Sequence, residues 1–209
     1  MSGKYGVIVI GAGPGGYVAA IKAAKLGLKT AIIEERRAGG TCLNRGCIPA
    51  KAMIHASSLY REMKEAERFG VSASDVTYDY GKIVAYKEKT TDKLVQGVEQ
   101  LLKANGVDVY EGKGTLLEEK KVRIQKKVED EEDSTIAEST ADDTVIEGEN
   151  IILASGSKPL ILPIPGMDNE RVLTSDALFC DERSSKESDH HRRRRDQCGI
   201  RYRICESRM

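Results

Sequence analysis

The fold is decided by residues 5–34, which read YGVIVIGAGPGGYVAAIKAAKLGLKTAIIE. The apolar run at residues 5–10 has the length of a buried strand and leads directly into the glycine-rich residues 11–16. An alanine-rich helical segment follows and stops at Gly27, and a second apolar run ends at Glu34. The pattern predicts strand, tight turn, helix and strand, which is a βαβ unit with two parallel neighbouring strands.

The following segments continue this alternation. Residues 50–68 and 80–104 have apolar side chains at helical spacing, and Pro49 stands where the first position of the earlier helix is expected, after a loop at residues 39–46. Asn105-Gly106 ends the later helix before a short strand at residues 107–110, and residues 150–154 predict another buried strand. The fold class is therefore predicted as α/β with a parallel sheet.

Residues 115–150 show a different pattern. Two short alternating runs, residues 121–125 and 144–146, flank residues 128–143, which hold eight acidic residues and no basic one. The alternation predicts an antiparallel β excursion, and the charge run predicts a solvated tip.

The charges explain little about partners. The chain has 33 Lys+Arg and 33 Asp+Glu, but this balance is a sum of uneven regions. The acidic segment carries −8, residues 181–209 carry +3 from nine basic and six acidic residues, and the remaining residues carry +5. No stretch approaches the about 20 apolar residues of a membrane span, and the first strand begins too early for a leader peptide. The five cysteines indicate a reducing compartment. We therefore predict a cytoplasmic protein with no membrane partner.

Residues 181–209 have no apolar period, and they contain an arginine run at residues 192–195. Such a run can form a nucleic-acid patch, but this segment also holds six acids and no aromatic stacking platform. We interpret the segment as the product of a shifted reading frame, and we predict a disordered tail that binds no nucleic acid.

The glycine-rich turn fits a dinucleotide site. Gly11 permits the tight turn, Gly13 lets the backbone approach a pyrophosphate, and Gly16 lets helix and strand pack closely. The first turn of the helix offers amides to phosphate, and Glu34, 23 residues after Gly11, is placed to accept hydrogen bonds from a ribose. Because FAD and NAD share this motif, the turn alone leaves the dinucleotide open.

A cysteine pair lies in residues 39–51, which read GGTCLNRGCIPAK. A zinc site would need more ligands than Cys42, Cys47 and the nearby His55, so we predict no metal. A structural disulfide across this short loop would contribute only about 2 kcal/mol, in a compartment that reduces it. A redox pair fits better, because a helix start and Lys51 both favour thiolate at Cys47.

The two motifs together closely resemble the pyridine nucleotide–disulfide oxidoreductases over residues 5–179. Leu43 and Ile48 favour the dihydrolipoamide dehydrogenase branch over the glutathione- and mercuric-reductase-like members, which stay the alternative. The resemblance implies a Rossmann-like FAD-binding domain at residues 1–180, with the β excursion at about 115–150. It also implies that dihydrolipoamide is oxidised through a cysteine pair and FAD, with NAD as co-substrate.

The resemblance assigns roles position by position. Cys42 would be the interchange thiol that attacks the substrate disulfide, and Cys47 would be the charge-transfer thiol that faces the flavin. The residues implied in FAD binding are Gly11, Gly13, Gly16, Glu34, Thr41, Lys51, Gly114, Ala154, Ser155 and Gly156. Two positions depart from the family pattern: Arg45 replaces a residue that is usually small and apolar, and Ala50 replaces Ser or Thr.

Members of this family also have an NAD domain and a dimer-interface domain, for which we find no counterpart in this sequence. The resemblance implies a lipoyl-carrying protein as partner and a homodimer, although we expect dimerisation to be weakened in this chain. We therefore expect little complete turnover, and a non-catalytic FAD-binding fragment stays the alternative to a working enzyme.

Overall fold

The computed structural model describes residues 4–126, 143–167, 169 and 172–180. The chain divides into two compact units, one made of Met1–Asn44 and Lys93–Lys158, and the other of Arg45–Asp92 and Pro159–Met209. The disorder predicted for residues 181–209 and nearly all of the predicted acidic tip lie outside the described residues.

The first unit is built on a sheet with the order β3-β2-β1-β6-β5-β4. Its strands are β1 Lys4–Ile10, β2 Thr30–Glu34, β3 Asp108–Glu111, β4 Lys113–Leu116, β5 Lys121–Gln125 and β6 Thr144–Leu153. Strands β3, β2, β1 and β6 are parallel to one another, whereas β4 and β5 pair antiparallel and β5 joins β6 antiparallel. This arrangement confirms the α/β fold class, the parallel βαβ unit and the antiparallel β excursion.

The helices are α1 Pro14–Lys25, α2 Gly40–Arg45, α3 Cys47–Lys64, α4 Tyr80–Ala104 and α5 Ser175–Cys180, and a short 3₁₀ turn covers Ala66–Phe69. The predicted stop of α1 is confirmed: Gly27 has φ +84°, and the amide of Leu28 donates to the carbonyl of Ala23 at 3.2 Å. The later predicted helix, residues 80–104, coincides with α4.

The continuous apolar sequence of β1 reflects a strand that is covered on both faces. Val7 and Val9 pack in one cluster with residues of α1 and the C-terminal half of α4, whereas Ile8 and Ile10 pack in a second cluster with β2 and β5. Parallel strands that are buried on both faces need apolar side chains at every position rather than at alternate ones.

The strand at the end of the excursion differs from its prediction in two respects. The run at 144–146 and most of the run at 150–154 belong to one ten-residue strand, β6. Residues 144–147 of this strand pair antiparallel with β5, and the part from Glu147 to Leu153 pairs parallel with β1. It is also less buried than expected, since Ile152 is 38% exposed and Leu153 is 63% exposed. Helix α1 packs over β1 and β2, so it leaves this end of β6 open.

The second unit is helical in its described part. Tyr60 of α3 packs edge-on against Tyr78, with ring centroids 5.3 Å apart. In α4, Lys87 is only 8% exposed, and its Nζ donates to the carbonyl of Phe179 in α5 at 2.7 Å. This hydrogen bond joins α4 to the end of α5.

Candidate functional site

The turn after β1 tolerates only glycine at two of its positions. Gly11 has φ +101°, and a Cβ there would lie 2.3 Å from the carbonyl oxygen of Ala154. A Cβ on Gly16 would lie 1.8 Å from the carbonyl oxygen of Gly11. The predicted tight turn and the predicted close approach of helix to strand are therefore both present in the geometry.

Gly13 lacks a side chain for a different reason. It caps α1 with φ −69°, which any residue can adopt, and a Cβ there would lie 3.8 Å from the Cα of Gly40. Among the described residues, no side chain caps this helix, whose first turn has Pro14 and no acidic residue. The first-turn amides and the positive end of the helix dipole therefore face outward from a turn of bare backbone, which suits an anionic ligand.

Glu34, at the end of β2, holds the turn in place. Its Oε2 accepts a hydrogen bond from the amide of Ala12 at 2.7 Å, and its Oε1 accepts one from the amide of Arg36 at 3.0 Å. Two backbone amides thus fix the carboxylate, while each oxygen keeps acceptor capacity for a ligand hydroxyl. The sequence predicted the position of this acid, but its contacts with the backbone were not foreseen.

A second glycine pair supports the same turn and was not assigned from the sequence. Gly40 has φ +60°, and a Cβ there would lie 2.7 Å from the Cα of Gly13. The amide of Gly39 donates to the carbonyl of Ala12 at 2.8 Å. Two backbone segments therefore pack directly against each other, and the adjacent glycines 39 and 40 were the signal in the sequence.

Asn44 fastens this second segment. Its Nδ2 donates to the carbonyls of Ala38 and Gly40, each at 3.0 Å, and lies 3.4 Å from the carbonyl oxygen of Arg37. Within the described residues its Oδ1 is buried without a hydrogen-bond partner. Asn44 is thus a positioning residue for the glycine contact, although nothing in the sequence spacing singled it out.

Three more predicted residues lie close to this edge of the sheet. A Cβ on Gly114 would lie 3.1 Å from Cγ2 of Ile10 and 3.2 Å from Cγ2 of Ile33, at the ends of β1 and β2. The amide of Ala154 donates to the carbonyl of Ile10 at 2.8 Å. The exposed Ser155 follows it, so the strand end lies beside the glycine turn.

The structure therefore brings one set of predicted residues together where the parallel strands end. This set comprises Gly11, Gly13, Gly16, Glu34, Gly114, Ala154, Ser155 and Gly156, all of which belong to the first unit. Gly156 is exposed and has φ +73°. Ligands of open α/β sheets bind at this edge, beyond the carboxyl ends of the strands.

The cysteine segment differs from its prediction. The expected loop at residues 39–46 is largely the helix α2, and α3 begins at Cys47, so Pro49 is its third residue rather than its first. Proline fits there because the first turn of a helix needs no hydrogen bond from its amides. Gly46, at φ −141° and ψ −107°, separates the two helices.

The predicted thiols and their neighbours are distributed over both units. Thr41, which is exposed, and Cys42, which is half-buried, belong to α2 and the first unit. Cys47 is exposed at the start of α3, and the exposed Lys51 follows one turn later, both in the second unit. Cys42 and Cys47 are not joined by a disulfide in the structure.

The described residues contain no group of three or more His, Cys, Asp or Glu side chains that could hold a metal ion. His55 is exposed on α3. No helix in this part of the chain is long and apolar enough to cross a membrane.

Comparison with known proteins identifies relatives. The family model for pyridine nucleotide-disulphide oxidoreductases matches residues 5–193, which reaches beyond residue 179, where the resemblance was expected to stop. Dihydrolipoyl dehydrogenase of Bacillus subtilis is 39% identical over 183 residues, which cover 84% of this chain and 36% of the relative. The enzyme of the same name from Trypanosoma brucei brucei is 44% identical over 174 residues, covering 82% and 34%.

A solved structure shares the fold. The Cu(II) complex of the HOCl-induced flavoprotein disulfide reductase RclA from Escherichia coli superposes with a TM-score of 0.65 at 24% identity, covering 85% of this chain and 34% of that one. The chain thus spans about a third of the length of the proteins that it matches. Since the family model covers most of the residues, this chain belongs to the pyridine nucleotide-disulphide oxidoreductase family.

Proposed function

We propose that this chain is the FAD-binding part of a dihydrolipoyl dehydrogenase, with Cys42 and Cys47 as its redox pair. One observation supports this most strongly: the Gly11–Gly16 turn, the uncapped start of α1 and the fixed Glu34 carboxylate meet at one edge of the parallel sheet. The relatives named above are dihydrolipoyl dehydrogenases, which favours this activity over glutathione- or mercuric-reductase-like chemistry.

The residues present fit FAD, because the turn is a cradle that side chains would fill. The amides at the start of α1 would bind the pyrophosphate, with bare backbone at Gly11, Gly13 and Gly16. Glu34 would accept hydrogen bonds from the adenosine ribose. Gly114 would leave room beside the adenine, and residues 154–156 would close over the cofactor, with Thr41 and Lys51 on its flavin side.

The cysteines would exchange a disulfide with the substrate. One thiolate of a dithiol attacks Sγ of Cys42 in the Cys42–Cys47 disulfide, and the S–S bond breaks to release Cys47 as thiolate. The second substrate thiol then displaces Cys42 as a thiolate, so the substrate leaves as a cyclic disulfide. The cysteine pair has then gained two electrons in total. FAD, when bound, supplies the two-electron acceptor that reoxidises the pair.

The wider assignments are part of the same proposal. We propose that residues 1–180 form the FAD-binding domain and that residues 181–209 are dispensable for FAD binding. In a longer protein that contains this chain, NAD would be the final acceptor, a lipoyl-carrying protein the partner, a homodimer the assembly and the cytoplasm the location. The family's name supports NAD as acceptor, and the names of the relatives support a lipoyl-carrying partner.

The test is reconstitution of the purified 209-residue chain with FAD. We expect about one tightly bound flavin per chain, with the same affinity when the chain is truncated after Cys180. Flavin that is bound but spectrally unaffected by dihydrolipoamide would instead support a non-catalytic FAD-binding fragment. A chain that stays colourless after reconstitution would refute the proposal.

A further inference from the structure

Arg45 lies between the two cysteines in the sequence, and the structure shows which residue its side chain contacts. Nη1 of Arg45 donates to Oδ2 of Asp176, which lies 131 positions further along the chain. The two side chains are 21% and 27% exposed, so the ion pair is largely shielded from water. Removing either partner would leave the other with an uncompensated charge in that setting.

Asp176 is held in place by contacts at both ends of α5. At its start, the amide of Ala177 donates to Oγ1 of Thr174 at 3.2 Å. At its end, the buried Lys87 donates to the carbonyl of Phe179 at 2.7 Å, and the Phe179 side chain is only 8% exposed. The carboxylate that receives Arg45 is therefore presented by a fixed helix rather than by a loose segment.

Arg45 ends α2 and Cys47 begins α3, with Gly46 as the one residue between them. A bare cation near a thiol favours thiolate, a bare carboxylate disfavours it, and a closed ion pair has a much smaller effect. Whether Arg45 is paired is therefore relevant to this thiol.

The second unit also contains other charged groups. On α3, Lys51 and His55 follow Cys47 within about two turns, and both are exposed. On α4, Lys87 is hydrogen-bonded to α5 and lies 3.7 Å from Oε1 of Glu88. These groups are the same in all the variants used below, so a difference between variants reports the ion pair alone.

We propose that Asp176 is a positioning residue for the redox pair: it holds the Arg45 guanidinium and balances its charge beside Cys47. The reactivity of this thiol is then set by a closed ion pair instead of by a lone cation. The redox role of Cys47 rests on the proposed function. The charge effect does not, because it can be measured on the chain without FAD.

The experiment measures how fast iodoacetamide alkylates Cys47 as pH is varied, with the full reduced chain and tandem mass spectrometry to distinguish Cys47 from the other cysteines. In Asp176→Asn, we expect the pH midpoint to fall by about 0.3–1 unit, because the cation is uncompensated. In Arg45→Met, we expect it to rise by a similar amount. The double variant Arg45→Met/Asp176→Asn should return close to the wild-type midpoint.

The double variant separates charge from structure. If the ion pair has a purely structural role, the pH midpoint should shift in the same direction in both single variants and at least as far in the double variant. This result would overturn the proposal. Midpoints that are unchanged in all three variants would also overturn it. Arg68→Met, which removes an exposed ion pair with Glu65 in the same unit, is the matched control and should not move the midpoint. If Asp176→Asn does not fold, the variants Asp176→Glu and Arg45→Lys are measured in its place. Both keep the charges of the ion pair, so both should keep the wild-type pH midpoint. A shifted midpoint in either variant would count against the proposal.

Discussion

The glycine turn of residues 11–16 and the cysteine segment of residues 42–51 are both motifs that the sequence identifies, yet they are built in opposite ways. The turn is fixed by backbone contacts within a single unit, at distances that exclude side chains. The cysteine segment passes from one unit to the other between Asn44 and Arg45, and Arg45 is paired with a residue from far along the chain. The comparison shows that the glycine turn depends on close packing of backbone segments, whereas the cysteine segment has its arginine paired through a side-chain ion pair.

The largest effect on stability and FAD binding is expected from a substitution at Gly16, which tests whether backbone contacts hold the turn. In Gly16→Ala, the added Cβ meets the carbonyl oxygen of Gly11 at 1.8 Å, so the turn or helix must shift. We expect a loss of about 3 kcal/mol in the free energy of unfolding and the loss of FAD binding. Urea unfolding measures the first and flavin titration the second.

Gly15→Ala is the matched control, because nothing lies within 4 Å of a Cβ at this neighbouring position. We expect it to be neutral or to stabilise α1 by up to about 1 kcal/mol, since alanine is the better helix former. Equal losses in both variants would show that the turn is not held by the Gly16 contact.

A smaller effect is expected at Glu34. In Glu34→Gln, one of the two amides that now donate to the carboxylate, those of Ala12 and Arg36, would face the NH₂ of the new side chain. We expect a loss of about 1–3 kcal/mol in unfolding free energy and at least about tenfold weaker FAD binding. The exposed neighbour Glu35→Gln should change neither quantity, and FAD affinity that is unchanged in Glu34→Gln would contradict the assignment.

A substitution at Asn44 tests whether the turn needs the segment that contains Gly39 and Gly40. Asn44→Asp places a carboxylate against the carbonyls of Ala38 and Gly40, which have no proton to share with it. We expect a loss of about 1–2 kcal/mol in stability with weaker FAD binding. Asn150→Asp removes a single hydrogen bond, from Nδ2 to the carbonyl of Gly6, and should lose less; the reverse order would contradict the role of Asn44.

The smallest effect concerns the opposite end of the sheet and depends on pH. Burial, together with hydrogen bonds to Tyr110 and Asp108, raises the pKa of Tyr5 far above its usual range. The unfolded chain ionises Tyr5 near pH 10 while the folded chain keeps the proton, so stability should fall as pH rises above about 10. The free energy of unfolding, measured between pH 9 and 11, should fall more steeply with pH for the wild type than for Tyr5→Phe. If the two proteins lose stability in parallel, Tyr5 is not the cause.

The sequence predicted the parts of the fold that local sterics and periodicity determine. Residues 5–34 gave the parallel strand pair with its turn, and Asn105-Gly106 gave the end of α4, because each of these signals acts within a few residues. The single strand β6 was missed because its continuity arises from pairing with two different strands. The open side of Leu153 was missed because strand burial depends on which helix packs over it.

The same limit applies to the site. The glycines and Glu34 were predicted because their spacing is a property of the βαβ unit itself. Asn44 and Gly40 were missed because their contacts join two loops, and the helix α2 was missed because its six residues are too short for a periodic pattern. Arg45 was noticed as an extra charge, but its partner Asp176 could not be predicted from residues 131 positions apart.

The most direct test of the central claim is an anaerobic titration of the FAD-loaded chain with dihydrolipoamide, followed by flavin absorption. We predict that about one equivalent changes the flavin spectrum in the wild type and in Cys198→Ser, a control cysteine outside the motif. Cys42→Ser and Cys47→Ser should leave the spectrum unchanged, because neither can form the disulfide that accepts the electrons. A response that persists in both of these variants, or is missing from the wild type, would contradict the account.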